Sequence, residues 1–369
     1  MHEEEDIMFK GMKAQKRVAF GVALTLSAGG GLLFSPSVQA AEHVKEIPST
    51  DTEHTAGIDG TRETGGFSSD NKITVGEVGA SGPTVNGDVV GGSAAGDVSN
   101  NTLTINSLTL GAGHSVYGGK STGGAADGNK VNISGGTING TIRGGYTDAG
   151  GSANGNKVTI SGGTGISRVY GGEANRSNGS ASNNEIVISG GSFNTNSIIT
   201  GGLNSAGSST YSGSVTGNSI KITGGIFGTG TAITGGTASG TPGGGAPLVN
   251  GHTVTLGDKE TGEFSATLTG ASIWGSYRGT NYASSAEQVK GNTLNVNAKG
   301  ISLTQLRNFE NYNFNLTKNI SNGDTMITIT ESMTGAKYDW SKINLDVSEW
   351  TKDASKFGRS TGDLMRHSS

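Results

Sequence analysis

Asn129-Lys130-Val131-Asn132-Ile133-Ser134-Gly135-Gly136 and Asn156-Lys157-Val158-Thr159-Ile160-Ser161-Gly162-Gly163 are two copies of one sentence. In the first copy Asn129, Val131 and Ile133 share one parity, and Lys130, Asn132 and Ser134 share the other. Strict alternation of this kind is a strand with one buried face. The Gly-Gly that follows ends the strand, because glycine alone turns freely through positive φ. Looser copies begin at Asn71, Asn101, Asn184, Asn218, His252 and Asn292, so the start-to-start steps are 30, 28, 27, 28, 34, 34 and 40 residues.

A second phrase follows each of the first seven copies. It reads Val89-Val90-Gly91-Gly92, Val116-Tyr117-Gly118-Gly119, Ile142-Arg143-Gly144-Gly145 and Val169-Tyr170-Gly171-Gly172, then continues from Ile199 and Ile233 to Ile273-Trp274-Gly275-Ser276. A short apolar step lies between the two phrases, at Ile138, Ile166, Phe193 and Phe227. No segment of the repeats carries a helical period. One repeat is therefore two or three short strands joined at glycine corners. Alone it cannot bury its apolar side, but stacked on its neighbours it can. The expected fold is all-β, a parallel β-helix or β-solenoid of about eight rungs. The inward Asn leaves two readings open: stacked carboxamides bonding along the axis, or a turn residue that starts each strand.

Composition fits a narrow coil. The 369 residues include 66 Gly, 5 Pro and no Cys, with 32% hydrophobic residues. Collagen requires glycine at every third position and abundant proline, and neither is present. Between Asn71 and Val296 the apolar residues are concentrated in periodic alternation, which argues against disorder. The net charge of −4, with no basic cluster after the first forty residues, argues against nucleic-acid binding. Without Cys there are no disulfides and no thiolate metal sites.

Four regions follow. In 1–40, Lys10, Lys13, Lys16 and Arg17 precede an apolar run from Val18 to Phe34, and Val38-Gln39-Ala40 fits a small-x-small cleavage site. That is the pattern of a secretory signal peptide, with the true start at Met1, Met8 or Met12. Residues 41–70 are polar and aperiodic and read as a disordered leader. Residues 71–297 are the β-solenoid. Residues 298–369 are richer in aromatics and read as a C-terminal β cap, because an open solenoid end exposes unpaired backbone groups.

The signal peptide, the GNxVxISGG and VYGG repeats, and the junction from Leu306-Arg307-Asn308-Phe309 to Gly323-Asp324-Thr325-Met326 together resemble the passenger domains of bacterial autotransporters. The likeness covers roughly Asp70 to Val347 and is nearest to the Gly/Asn-rich, adhesin-like group. It implies an exported protein of the cell surface or extracellular space of a Gram-negative-type bacterium. It also implies passage through the periplasm and an outer-membrane β-barrel. No such barrel pattern is read before Ser369, so the barrel is expected as a partner. The function implied is adhesion to a host or matrix glycan or protein, without catalysis. The alternatives are a polysaccharide-acting β-helix enzyme and a structural stalk.

The search for chemistry yields little. Gly119-Lys120-Ser121 lacks the phosphate-loop glycine, since His114 stands five residues before Gly119. No helix follows Gly123 to make a nucleophile elbow. Asp88, Asp97, Asp127, Asp148 and Glu173 do not recur at one repeat position, and no two histidines have metal-ligand spacing. No catalytic residue, metal or cofactor is therefore assigned. One pattern stands out. The residue after the inward apolar position of the second phrase should face out, and down the stack it reads Val90, Tyr117, Arg143, Tyr170, Thr200, Thr234, Trp274. Tyr117, Arg143 and Tyr170, with Trp274 further along, are the candidate binding residues. They are expected to form an exposed cation–π stripe and contact platform. The competing reading is that β-formers merely pack along a strand face.

Overall fold

A computed structural model describes residues 43–367 apart from 51–52, 55, 177, 206–212, 239–247, 279–288, 332–341 and 349–364. The expected signal peptide lies outside the described residues. The described chain from 43 onward is a parallel β-helix, a coil of short strands that includes the single-turn helix Gly60–Glu63. Its largest ladder stacks the first phrase. Lys130–Ile133 pairs in parallel with Thr102–Ile105 on one side and Lys157–Ile160 on the other, with Val131 opposite Leu103 and Val158, and Ile133 opposite Ile105 and Ile160. The alternation thus becomes two inward columns, and every member from Ile73 and Val75 to Tyr312 and Phe314 is buried. The second phrase stacks likewise, burying Val116, Ile142, Val169 and Ile199. The apolar step supplies Leu110, Ile138, Ile166, Phe193 and Phe227, and the two Phe rings stack 4.4 Å apart. Each rung needs only four or five apolar side chains, which explains how so polar a chain closes a core.

The ladder runs further than the repeats suggest. It holds eleven strands, from His43–Ile47 through Asn311–Asn315 to Ile343–Asp346. The described part of 41–70, where a disordered leader is expected, forms a first rung. His43–Ile47 pairs with Asn71–Val75, Glu53–His54 with Thr84–Val85, and Ile58–Asp59 with Val89–Val90, while Ile47 and Ile58 are buried. The pattern was illegible because Lys45, opposite Ile73, occupies an inward column position. Only an end rung tolerates that, and there Lys45 meets Glu63 at 3.8 Å. Within the expected C-terminal β cap, the described strands Asn311–Asn315 and Ile343–Asp346 extend the ladder, and Ile301–Leu303 pairs with Ile327–Ile329.

Of the two readings of the repeat Asn, the ladder holds. Asn71, Asn101, Asn129, Asn156, Asn184, Asn218 and Asn292 are all buried. The backbone N–H of Asn129 and its Nδ2 both donate to Oδ1 of Asn156, at 2.8 and 3.2 Å. Asn156 repeats this on Asn184, and Asn184 on Asn218. The ladder begins with a cap, since Thr64 Oγ1 donates to Asn71 Oδ1 at 2.7 Å. It has one substitution: His252 Nδ1 accepts from the Asn218 N–H at 3.2 Å, and the His252 N–H donates to Asn292 Oδ1 at 2.9 Å. This arrangement also explains the Gly-Gly of the second phrase. A Cβ on Gly118 would sit 2.3 Å from the Gly144 carbonyl oxygen, and one on Gly119 would sit 2.5 Å from Asn129 Nδ2. Real side chains are excluded there because the Asn ladder fills the space.

Candidate functional site

Those two glycines shape the outer surface. Both would-be side chains point toward Asn129, so two successive residues face inward. The strand alternation slips by one position. The residue before the pair and the residue after it therefore share the outer face. The first column is the expected one. Tyr117 is the register partner of Val90 and Arg143, Arg143 of Tyr170, and Tyr170 of Thr200. Thr234, Trp274 and Arg307 continue it. The second column, three residues on, reads Ser93, Lys120, Tyr146, Glu173, Leu203, Thr237, Tyr277.

The structure brings Tyr117, Arg143 and Tyr170 together on adjacent rungs, as the spacing predicted. Trp274 shares their column but lies three rungs beyond Tyr170, beside Tyr277 at 6.0 Å. Exposure differs from the expectation. Tyr117 and Tyr170 are each only 8% exposed, because the second column leans over the first. The Tyr146 ring meets Tyr117 edge-on at 5.7 Å. The Arg143 guanidinium lies 5.1, 5.4 and 5.7 Å from the rings of Tyr117, Tyr146 and Tyr170. Its Nε donates to the Glu173 carboxylate, whose other oxygen accepts from Ser205 Oγ at 2.9 Å. Lys120 Nζ sits 4.7 Å over Tyr117 and pairs with Asp88 at 2.9 Å. A packed cation–π cluster thus replaces the exposed stripe, and its more exposed members are Lys120 and Tyr146, while Glu173 is buried with the first column.

The electrostatics fix Arg143, Lys120, Tyr146 and Tyr170 in one protonation state each. Burial opposes the charge of Arg143, but Glu173 beside it more than offsets this and raises its pKa. Burial also opposes the charge of Lys120, but its hydrogen bond to Asp88, together with the Coulomb attraction of Tyr117, Asp88 and Tyr146, outweighs that and raises its pKa. Burial, helped by the Glu173 charge, lifts the phenols of Tyr146 and Tyr170 above their ordinary value. At neutral pH both cations stay charged and both phenols stay protonated, so these four groups are suited to contact rather than to proton transfer.

The carboxylates considered from sequence are tied into the stack. Asp97 accepts from the Ala125 N–H, Asp127 from Ser152 Oγ and the Asn154 N–H, and Asp148 from Asn175 Nδ2 at 2.8 Å. Among the described residues no group of three or more His, Asp or Glu is arranged to hold a metal. The second column was missed in the sequence, although its signal was present: it lies three residues past each tabulated position, across the glycines. Comparison with protein-family models, with curated proteins and with solved structures gives no match for this chain.

Proposed function

We propose that the chain is an exported, autotransporter-like passenger of the cell surface that works in adhesion or host/matrix interaction and not in catalysis. In this reading a signal peptide directs it to the periplasm, and an outer-membrane β-barrel delivers it. The observation that carries the reading is the double outer column. One fixed backbone lattice presents a different side chain at nearly every rung, and neighbours lock each into place. Preorganised faces of this kind lose little freedom on binding, and Tyr and Arg are the residues most enriched in binding hot spots.

One further observation supports binding over polysaccharide cleavage. A glycosidase-type acid requires a carboxyl whose pKa is raised. Here Lys221 holds Asp258, Lys259 holds Asp346 and Lys342 holds Glu310 below the usual carboxylate range. Arg143, Tyr117 and Tyr170 are too enclosed to be the outermost contact, so Lys120 and Tyr146 are the side chains to test. Beads coated with the chain should adhere to cultured epithelial cells or to extracellular matrix. Lys120→Ala/Tyr146→Ala should reduce adherence while the circular dichroism stays that of the parent. Absence of adherence by the parent chain would overturn the reading.

A further inference from the structure

A cleft several rungs from that cluster lies among the later strands. It has a volume of about 790 Å³ and opens on the outer face of the first-phrase ladder in its last rungs. Its floor follows directly from the strand alternation. Leu294, Val296, Tyr312 and Phe314 point inward, so Asn295 and Asn313 point outward, and Asn344 continues the column. In earlier rungs the same column carries Thr104, Asn132, Thr159 and Val187. Only at the end does it become a run of Asn.

These carboxamides form a second, outer ladder. Asn344 Nδ2 donates to Asn313 Oδ1 at 2.8 Å, Asn313 Nδ2 to Asn295 Oδ1 at 2.8 Å, and Asn295 Nδ2 to Thr255 Oγ1 at 3.2 Å. A carboxamide has two N–H donors and two acceptor lone pairs. The ladder uses one of each in Asn295 and Asn313 and leaves the others for the cleft. The floor therefore repeats one donor and one acceptor at every rung, about 4.8 Å apart.

The wall is the segment from Asp258 to Glu260. Asp258 Oδ1 accepts the N–H groups of Glu260 and Thr261, which fixes the turn. Two ion pairs tie the wall to the floor, Lys221 to Asp258 at 2.7 Å and Lys259 to Asp346 at 2.9 Å. Both cations are thus spent on carboxylates. Lys221 and Lys259 against Asp258, Glu260 and Asp346 leave a net lining charge of −1. A polyanion has no partner here. Among the described residues no aromatic ring lines the cleft either, so an apolar ligand has no platform there. What the floor matches is a neutral chain that repeats adjacent donor–acceptor pairs, and vicinal hydroxyls supply those.

The geometry points to this cleft as a binding groove for a neutral oligosaccharide lying along the stack of Asn295, Asn313 and Asn344. The inference rests on the reading of the chain as an adhesion module and names the chemical class of one partner. Without a stacking ring, each sugar contributes hydrogen bonds alone, so affinity rises with the number of rungs spanned.

The test is calorimetric titration of the purified chain with linear glucose, mannose and galactose oligomers of increasing length, and with polygalacturonate. At least one neutral series should bind, longer members more tightly, and polygalacturonate should not. Asn295→Val/Asn313→Val introduces the residue that Val187 already places in this column, so the fold is retained. It should weaken binding at least tenfold, whereas Lys130→Ala, at an exposed side chain several rungs away, should leave it unchanged. Equal or better binding of polygalacturonate, or full binding by the Val variant, overturns the proposal. Adherence to cells without binding of any neutral oligomer also overturns it, while the adhesion reading stands. Loss of both would end the two together.

Discussion

The inner Asn column and the outer Tyr117–Arg143–Tyr170 column sit on opposite sides of the same two glycines, yet they follow opposite rules. From Asn71 to Asn292 the inner column repeats one residue in seven of eight rungs, with His252 as the exception in that run. The outer column changes almost every time. The difference follows from what each faces. A carboxamide enclosed in a core has one partner above and one below, and only another side chain of that shape satisfies both. An outward side chain has its neighbours and solvent, so many types serve. Uniformity in a repeat therefore marks scaffold, and variation marks the surface open to specialisation.

Removing one link of the inner column should have the largest effect. Asn156→Ala takes away the oxygen that accepts both the backbone N–H and the Nδ2 of Asn129. With unsatisfied buried groups costing about 1–3 kcal/mol each, urea unfolding should show a loss of about 2–4 kcal/mol. A loss under about 1 kcal/mol would show that the ladder is incidental to stability.

The outer column should respond less, and in a way that can be repaired. Arg143→Met leaves the Glu173 carboxylate enclosed without its cation. The pair keeps 15% and 9% exposure, so the cost should fall below the 3–5 kcal/mol of a fully buried pair, at about 2–3 kcal/mol. Arg143→Met/Glu173→Leu should recover most of it, because apolar groups of similar size replace both charges. Failure of the double variant to recover would mean that Arg143 holds the column by more than its charge.

His252 makes the inner rule sensitive to pH. Burial lowers its pKa to about 3, and its Nδ1 must stay unprotonated to accept from Asn218. The unfolded chain takes up this proton below about pH 6.5 and the folded chain does not until about pH 3. Stability is thus whole above pH 6.5 and falls as pH drops, by about 2 kcal/mol at pH 5. His252→Asn, which restores the repeat residue, should flatten the profile between pH 6.5 and 5. An unchanged slope would assign the acid sensitivity to other groups.

The smallest effect belongs to the outermost charges. Lys157 and Glu185 meet at 2.9 Å but are 41% and 45% exposed. Lys157→Ala should cost no more than about 1 kcal/mol, and less in high salt. A larger cost would mean that solvent-facing residues share in the scaffold after all.

How much the sequence disclosed varies along the chain. The Val131 and Ile133 columns were legible because alternation alone determines which face is buried. The register of Tyr117 with Arg143 and Tyr170 was legible because both phrases keep step. Their burial was not, since it depends on two inward glycines shifting the alternation and bringing Tyr146 and Glu173 onto the same face. The first rung was hidden by Lys45, whose charge is tolerable only at an end. The Asn floor of the cleft was hidden by spacing: Asn295 to Asn313 is 18 residues and Asn313 to Asn344 is 31. The first step is shorter than any repeat, and Asn344 follows no copy of the first phrase, so the stacking emerges only from the backbone pairing.

The claim beneath all of this is that equivalent positions stack in parallel register, and the absence of Cys allows it to be measured cleanly. Thr104 and Thr255 share the outer column, separated by five rung steps through Asn132, Thr159, Val187 and Lys221. Spin labels on Thr104→Cys/Thr255→Cys should give one narrow distance distribution in double electron–electron resonance. Five steps of about 4.8 Å put the backbone separation near 24 Å. A broad distribution, or a mean tens of ångströms longer, would contradict the stack and everything built on it.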